Sequence, residues 1–293
     1  MNNQNTIEVF DRALLRLRRD RAALRAADYD FLLRDVADRL MDRMDVIRRP
    51  FARVLDMGSY HGVLAQKICA RAGTETVFAC DLSPRMAAAV PAPVMAAAAD
   101  EEYLPFAAQS FDAVVSNLSL HWVNDLPGAL LQLRRALRPD GLFMAAVLGG
   151  ESLRELRDCL MTAEVNVTGG ASPRVSPFID LRDMGALLQR GGFALPVVDS
   201  DMITVDYSHP IKLMQDLRGM GASNAVFQRL KVPTQRRVIM EAARIYQEKY
   251  GDENGCVPAT FQVIYAIGWS PHESQQQPLK PGSAVVRLAD MLK

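Results

Sequence analysis

The sequence of 293 residues has little of what marks a secreted, metal-binding or nucleic-acid-binding protein. Its four cysteines are scattered and form no C-x-x-C pair, which argues against a disulfide framework or a zinc knuckle. Neither charge sign is in excess, with 34 basic and 34 acidic side chains, so nucleic acid bound through bulk positive charge is excluded as a partner. Apolar runs long enough to cross a bilayer are missing, and so is a secretory leader pattern. We therefore expect a cytoplasmic protein that is not transmembrane.

The patterns that are present predict an α/β fold. Seven short β-type runs lie at residues 53–57, 76–80, 94–97, 111–116, 142–147, 197–205 and 260–269. The first five alternate with helical runs. Such alternation is typical of a doubly wound, mostly parallel sheet with helices on both faces.

Helical patterns also lie outside this alternating region. We predict an N-terminal helical cap over residues 1–49 and a core over 50–270. A helical insertion at about 207–256 precedes the last strand, and a tail covers 271–293.

The first predicted strand ends in a glycine-containing turn before a helix. Gly58 and Gly62 flank this turn, and glycine there lets a ligand approach backbone N–H groups. The G-x-G-x-x-G pattern of dinucleotide-binding proteins is absent, because Tyr60 stands at the second glycine position. The turn therefore indicates a ligand site other than that for NAD.

Acidic residues follow the first three strands. Asp81 comes 25 residues after Asp56 and ends the second strand, where a carboxylate can accept both hydroxyls of a ribose. Asp100 and Glu101 follow the third strand, where they can accept from an adenine amino group. Together with the glycine turn, this ordered series of acidic residues indicates a binding site for a ligand with ribose and adenine far more specifically than any one of the residues does alone.

The series resembles the S-adenosylmethionine (SAM) site of class I methyltransferases. The similarity continues in LPF at residues 104–106, SFD at 110–112 and LRPDG at 137–141. The resemblance implies a Rossmann-like fold with a seven-stranded sheet. It assigns SAM binding to Asp56, Gly58, Tyr60, Gly62, Asp81, Leu82, Asp100, Glu101 and Asn117. Because the family pattern has glycine where this chain has Tyr60, we expect weakened SAM binding.

A closer resemblance runs almost from end to end. Its motifs are FDR at 10–12, SNLSLHWVNDLP at 116–127, DLRGMGASN at 216–224, PAT at 258–260 and GW at 268–269. These are similar to the complex I assembly factor five family, mitochondrial proteins with bacterial relatives. The resemblance implies hydroxylation of an arginine on a quinone-site subunit of complex I, with that subunit as protein client. It also implies a bacterial-type protein in the cytoplasm, peripheral to the inner membrane only through its client.

Two other functions stay open. The chain is also similar to the biotin-pathway enzyme that methylates the malonyl carboxylate on acyl carrier protein, which implies a small-molecule or carrier-bound acid as substrate. A non-catalytic assembly chaperone is the third possibility. Hydroxylation requires an oxygen-activating cofactor that the sequence leaves unknown. The four histidines are far apart without an H-x-D/E pair, so we predict no metal site.

The turn after the fourth strand faces the same edge of the predicted sheet. We take His121 and Asn117 there as candidate catalytic residues, with His121 acting as acid/base or holding the substrate. The alternative is that His121 and its neighbour only pack against the following helix. Candidate substrate contacts are Trp122, Arg174, Arg218, Ser223 and Asn224.

The zero net charge is a cancellation between regions. Residues 81–125 hold six acidic side chains and one basic, whereas residues 11–53 hold twelve arginines and eight aspartates. An acidic rim beside the cofactor site favours a cationic substrate such as arginine over malonate. We expect the arginine-rich N-terminal helices to present a solvated face and to cover the sheet edge.

Overall fold

The computed structural model describes residues 8–276. Most of the predicted tail, from residue 277 onward, lies outside the described residues, and so do residues 1–7 of the predicted cap. The division into cap, core and tail remains a prediction. Within the described residues, no helix combines the length and the apolar composition needed to cross a membrane.

A seven-stranded sheet forms the centre of the protein. Its strands are β1 Arg53–Met57, β2 Thr76–Asp81, β3 Met95–Ala98, β4 Phe111–Asn117, β5 Leu137–Leu148, β6 Ala194–Tyr207 and β7 Val257–Trp269. Their order across the sheet is β3-β2-β1-β4-β5-β7-β6. The first five strands pair in parallel, and β7 runs antiparallel to β5 and β6. The predicted mostly parallel sheet of class I methyltransferase type is confirmed.

Helices cover both faces of the sheet. They are α1 Arg12–Ala22, α2 Phe31–Asp45, α3 Val63–Cys69, α4 Pro84–Ala88, α5 Leu126–Ala136, α6 Arg154–Thr168, α7 Leu181–Arg190, α8 Pro210–Gly219 and α9 Arg236–Tyr250. Short 3-10 segments at Ala23–Asp28 and Leu120–Trp122 follow α1 and β4. One core lies under α2, α3, α6, α8 and α9, and the other lies under α5 and α7.

Burial of the strands follows their place in the sheet. The central strands β1 and β4 are buried on both faces, which explains their continuous apolar runs. The edge strand β6 alternates between less and more exposed side chains over most of its length, and it carries Asp199 and Asp201. Such charges on an edge discourage pairing with another chain.

Three local features differ from the sequence prediction. The fifth strand, predicted from residue 142, begins at Leu137 immediately after α5 and includes Asp140 with a φ of 61°. Helix α6 was not predicted, although Leu156, Cys159 and Ala163 form a buried stripe along it. Strands β6 and β7 pair with each other over most of their length, so both extend beyond the apolar runs predicted at residues 197–205 and 260–269. In each case, pairing or packing between distant segments extends what the local pattern shows.

Candidate functional site

The glycine turn after β1 lies at the carboxyl edge of the sheet. Gly58 and Gly62 have φ values of 71° and 85°, in the left-handed region that favours glycine. A Cβ on Gly58 would lie 2.1 Å from the Cβ of Ser119, in the turn after β4. The backbone N–H groups of Gly58 and Ser59 donate to the Cys80 carbonyl over 2.7 and 2.8 Å. Glycine is therefore required here to bring two turns of the protein into contact.

Tyr60 lies over the site from within this turn. It adopts a φ of 51°, which an L-residue with a side chain rarely does. Its backbone N–H donates to Asp81 over 3.0 Å, and its hydroxyl donates to the Leu118 carbonyl over 2.9 Å. The ring is buried, with 7% of the residue exposed. Tyr60 thus forms a wall of the site and is held at both ends.

The centre of the site is filled by an arginine from the N-terminal helix. The Nη1 atom of Arg19 lies 3.1 Å from Asp81 Oδ2 and 3.5 Å from Glu101 Oε1. Its Nη2 atom lies 3.0 Å from the Ser119 hydroxyl and 3.4 Å from the Tyr60 hydroxyl. The guanidinium carbon is 4.5 Å from the centre of the Tyr60 ring. We call Asp81, Glu101, Ser119 and Tyr60 the guanidinium cage.

A second arginine of α1 pairs with the neighbouring acids. Arg12 Nη2 lies 2.5 Å from Asp100 Oδ1 and also contacts Glu101, and Arg12 Nε is 3.7 Å from Glu102. The acidic rim expected beside the cofactor site is thus paired with arginines of the same chain. Helix α1 lays two of its arginines on these acids, and the two opposite local charges predicted from the sequence neutralise each other inside the protein.

The pKa values reflect this ion network. Burial alone would lower the pKa of the Arg19 guanidinium, but the nearby Tyr60, Asp81 and Glu101 outweigh burial and raise it. Burial likewise opposes ionisation of Glu101, yet Arg12 and Arg19 together hold the pKa of this carboxyl below its ordinary value. For Asp81, burial outweighs Arg19 and the pKa is raised. The cage is thus a site for a permanent cation.

Asp56 at the end of β1 has no such cation. It is completely buried, and neither carboxyl oxygen makes a hydrogen bond of normal geometry within the described structure, although the Ala65 amide lies nearby. Burial raises the pKa of Asp56 from 3.8 to about 7. Burial therefore favours the protonated form of this carboxyl.

The candidate catalytic residues of the β4 turn are buried and held by their neighbours. His121 lies against Trp122 and Phe178, with ring centres 5.3 and 5.7 Å apart, and its Nδ1 faces the Leu148 N–H at 3.5 Å. Burial lowers the pKa of His121 to about 3, so the imidazole is neutral at physiological pH. Asn117 donates to the Leu33 carbonyl over 2.8 Å. Both side chains have packing roles in the described structure, and their catalytic roles stay a prediction.

The predicted substrate contacts come together from distant parts of the chain. A cavity of about 170 Å³ is lined by Trp122, Arg174, Ser223 and Asn224. On one side it shares Trp122 with a small apolar cavity of about 40 Å³ that reaches Tyr60 and His121. On the other side it shares Arg174 and Ser223 with a groove of about 690 Å³.

The groove carries positive charge. Arg18 and Arg218 line it together with Arg174, Arg229 and Lys231. Arg218 is exposed, whereas Arg174 is paired with the nearly buried Glu164 at 2.5 Å. Three neighbouring cavities, each sharing lining residues with the next, therefore lie between the basic surface groove and the wall formed by Tyr60.

The cofactor residues assigned by resemblance lie together at this edge of the sheet, apart from Leu82, which packs in a cluster with Phe10 and Trp122. In this conformation, however, they do not fit SAM. Arg19 and Arg12 occupy the carboxylates that would bind the ribose and the adenine. We therefore derive no chemical step through SAM.

Arg12 and Arg19 are residues at the site that the sequence did not predict. A signal was present, because Arg19 lies on one helical stripe with Leu15 and Ala22, at spacings of four and three residues. An arginine at a position that should face the core requires a buried acidic partner. The partners come from β2 and the segment after β3, which only the tertiary structure brings close.

Known proteins share this fold. A family model described as a methyltransferase domain matches residues 55–145. The phosphoethanolamine N-methyltransferase 2 of Haemonchus contortus, solved with S-adenosylhomocysteine, has a TM-score of 0.50 at 17% identity and covers 80% of this chain and 53% of its own. The cyclase SpnF also has a TM-score of 0.50 at 17% identity and covers 81% of this chain and 80% of its own. The protein has the class I methyltransferase fold.

Full-length relatives define the family more narrowly. The mitochondrial arginine-hydroxylase NDUFAF5 of Danio rerio is 42% identical over 100% of this chain and 92% of its own length. The malonyl-acyl-carrier-protein O-methyltransferase of Halorhodospira halophila is 37% identical over 91% of this chain and 90% of its own. The chain belongs to the family of the arginine-hydroxylase NDUFAF5, and it is an enzyme of the methyltransferase fold.

Proposed function

We propose that this protein modifies an arginine side chain of a complex I subunit by hydroxylation. The observation that carries the proposal is the match to arginine-hydroxylases, which reaches 43% identity over 98% of the chain for the human relative. The site supports it, because buried carboxylates and a tyrosine face already hold a guanidinium. We place the enzyme in the bacterial cytoplasm, at the inner membrane only through its client.

Hydroxylation by O2 converts one bond to hydrogen on the arginine side chain into a bond to hydroxyl and reduces the second oxygen atom to water, which consumes two electrons and two protons. The proposal therefore includes an external two-electron reductant and an oxygen-activating cofactor. Within residues 8–276, no group of three or more His, Cys, Asp or Glu side chains is arranged to hold a metal ion. The class of this cofactor is to be identified from the metal content and absorption spectrum of the purified protein.

We further propose that SAM binds weakly to this chain. Tyr60 takes the place of a family glycine, and Arg19 pairs with the acid that would accept the ribose hydroxyls. Calorimetric titration of the purified protein with SAM checks this. Submicromolar affinity would contradict it.

Methylation of a carrier-bound carboxylate is the second candidate. The relatives that act on malonyl-acyl carrier protein favour it, and so does the exposed guanidinium of Arg218 in the basic groove. Arg174 is less suited to bind a free carboxylate because it already pairs with Glu164. Loss of carrier binding in the variant Arg218→Ala, with Arg16→Ala as an exposed control, would favour this function.

Mass spectrometry of complex I subunits from cells with and without the gene tests the proposal. We expect one arginine to carry an added oxygen only in the presence of the protein. A methyl group found on a subunit only in the presence of the protein would favour methyl transfer to this client over hydroxylation. Failed assembly of complex I without any change in modification would favour the non-catalytic chaperone.

A further inference from the structure

We propose that the guanidinium cage is the binding site for the arginine side chain of the client, and that α1 keeps this site filled with Arg19 until the client arrives. The proposal rests on the proposed function and adds the place and the manner of substrate recognition. Arg19 is then an internal mimic of the substrate.

The cage has the chemistry that a guanidinium needs. Its two carboxylates, from Asp81 and Glu101, are completely buried, and Ser119 adds a buried hydroxyl. The Tyr60 ring covers one face of the guanidinium at 4.5 Å, a contact that is stronger when it is shielded from water. A planar cation with several N–H donors matches this set better than a lysine ammonium does.

Arg19 does not use all of its donors in the cage. Its Nη1 and Nη2 atoms make four polar contacts of 3.0 to 3.5 Å. The Nε atom of Arg19 is buried without a hydrogen-bond partner in the described part of the chain. An arginine that approached from another direction could use this third donor as well.

The small apolar cavity of about 40 Å³ borders Tyr60, which is one wall of the cage. Leu118, His121 and Trp122 also line this cavity, which shares Trp122 with the 170 Å³ cavity, and that cavity shares Arg174 and Ser223 with the surface groove. The methylene chain of an arginine packs well along apolar walls while its charged end reaches a polar site. The series of cavities therefore suits an arginine side chain presented by a protein docked at the surface.

Helix α1 is held mainly by polar contacts. Of its 11 residues, only Leu15, Arg19 and Ala22 are buried, and besides Arg19 its Arg12 pairs with Asp100 and Glu101. Elements with few buried apolar contacts open at low free-energy cost. Replacing Arg19 by an incoming arginine keeps the buried carboxylates paired, which avoids the penalty for an uncompensated buried charge.

The test is calorimetric titration with N-acetyl-arginine methylamide, with the lysine analogue as the control ligand. We expect Arg19→Ala to bind the arginine ligand at least tenfold more tightly than the wild type, and the lysine ligand to show no such gain. Arg16→Ala is the matched control variant, because Arg16 is exposed on the same helix. It should bind like the wild type. Unchanged arginine affinity in folded Arg19→Ala would overturn the proposal.

Two further measurements cover other outcomes. If Arg19→Ala unfolds, Arg19→Gln takes its place, and hydrogen exchange of α1 in the wild type is measured with and without the arginine ligand. Faster exchange of α1 with the ligand supports displacement, and unchanged exchange contradicts it. A gain in SAM affinity of the variant without a gain for arginine would also overturn the proposal, because α1 would then shield a nucleoside site.

The outcome is separable from that of the proposed function. If arginine binds to the emptied cage but no client arginine gains an oxygen, the cage is supported as an arginine site and the proposed hydroxylation is contradicted. An oxygenated client arginine with no gain in binding by Arg19→Ala would do the reverse.

Discussion

Replacing Asp56 by asparagine should stabilise the protein increasingly as the pH rises. The pKa of Asp56 is about 7 in the folded state, compared with an ordinary value of 3.8. Between these values the folded state holds a proton that the unfolded state has lost, so the wild type loses stability as pH rises through this window. The slope is about 1.4 kcal/mol per pH unit, and the full penalty is about 4 kcal/mol above pH 7. Asparagine cannot ionise and escapes this penalty.

Urea unfolding of both proteins from pH 5 to pH 8 measures the effect. We expect the difference in unfolding free energy to change by about 3 kcal/mol in favour of Asp56→Asn across this range. The difference between the two proteins cancels every other titrating group. If the side-chain amide introduced by Asp56→Asn packs poorly, it shifts the difference in unfolding free energy by the same amount at every pH. Such a shift does not change the pH dependence. Asp206→Asn is the control, because Asp206 is exposed on the edge strand β6.

One result would refute the reasoning. If the difference between Asp56→Asn and the wild type does not depend on pH, the Asp56 carboxyl is ionised in the folded protein at pH 5. Such a carboxylate would need a cationic or hydrogen-bonding partner that the described contacts do not supply.

Three other substitutions probe the site and its support. Gly58→Ala should lower the unfolding free energy by about 2 to 5 kcal/mol, because the added Cβ would lie 2.1 Å from a neighbouring side chain at a φ of 71°. Gly169→Ala, with a φ of 74° and open space around it, should cost only about 1 kcal/mol, and equal losses would contradict the steric argument. The unfolding free energy of His121→Phe should rise relative to that of the wild type by about 1.4 kcal/mol per pH unit as the pH falls from 6 to 4. The reason is that the histidine of the unfolded wild type takes up a proton in this range, whereas the buried imidazole does not. Urea unfolding at each pH checks this, and a flat difference would show that the folded imidazole is already charged. Arg174→Met should cost about 3 kcal/mol, at the low end for a broken buried pair, because Glu164 loses its cation but keeps the hydrogen bonds from Ser172. The double variant with Glu164→Met should recover much of this loss in denaturant unfolding.

The fold by itself does not select the reaction. SpnF has the same architecture as a methyltransferase and is a cyclase. The two features from which we expect weakened SAM binding are local: Tyr60 in the glycine turn and Arg19 inside the site. Both residues lie in contact with each other at the carboxyl edge of the sheet. Measuring ligand affinity at this edge is therefore more informative than comparing the fold.

The sequence by itself determined the sheet and the position of the site. Apolar runs of β type alternate with helical ones, and glycine and aspartate follow the ends of β1 and β2, because these signals depend only on neighbouring residues. The glycine at position 58 is readable in the same way. The resemblance of motifs then placed the chain in its family, which full-length identity confirmed.

The tertiary structure decided what fills the site. Arg19 is 62 residues from Asp81 and 82 from Glu101, and the sequence left α1 as a solvated helix with an excess of positive charge. A charged side chain can be buried only where the fold places an oppositely charged partner next to it. The local sequence does not show which distant residues the fold brings close. The acidic rim predicted from the sequence therefore became, in the folded protein, a cage that already contains its cation.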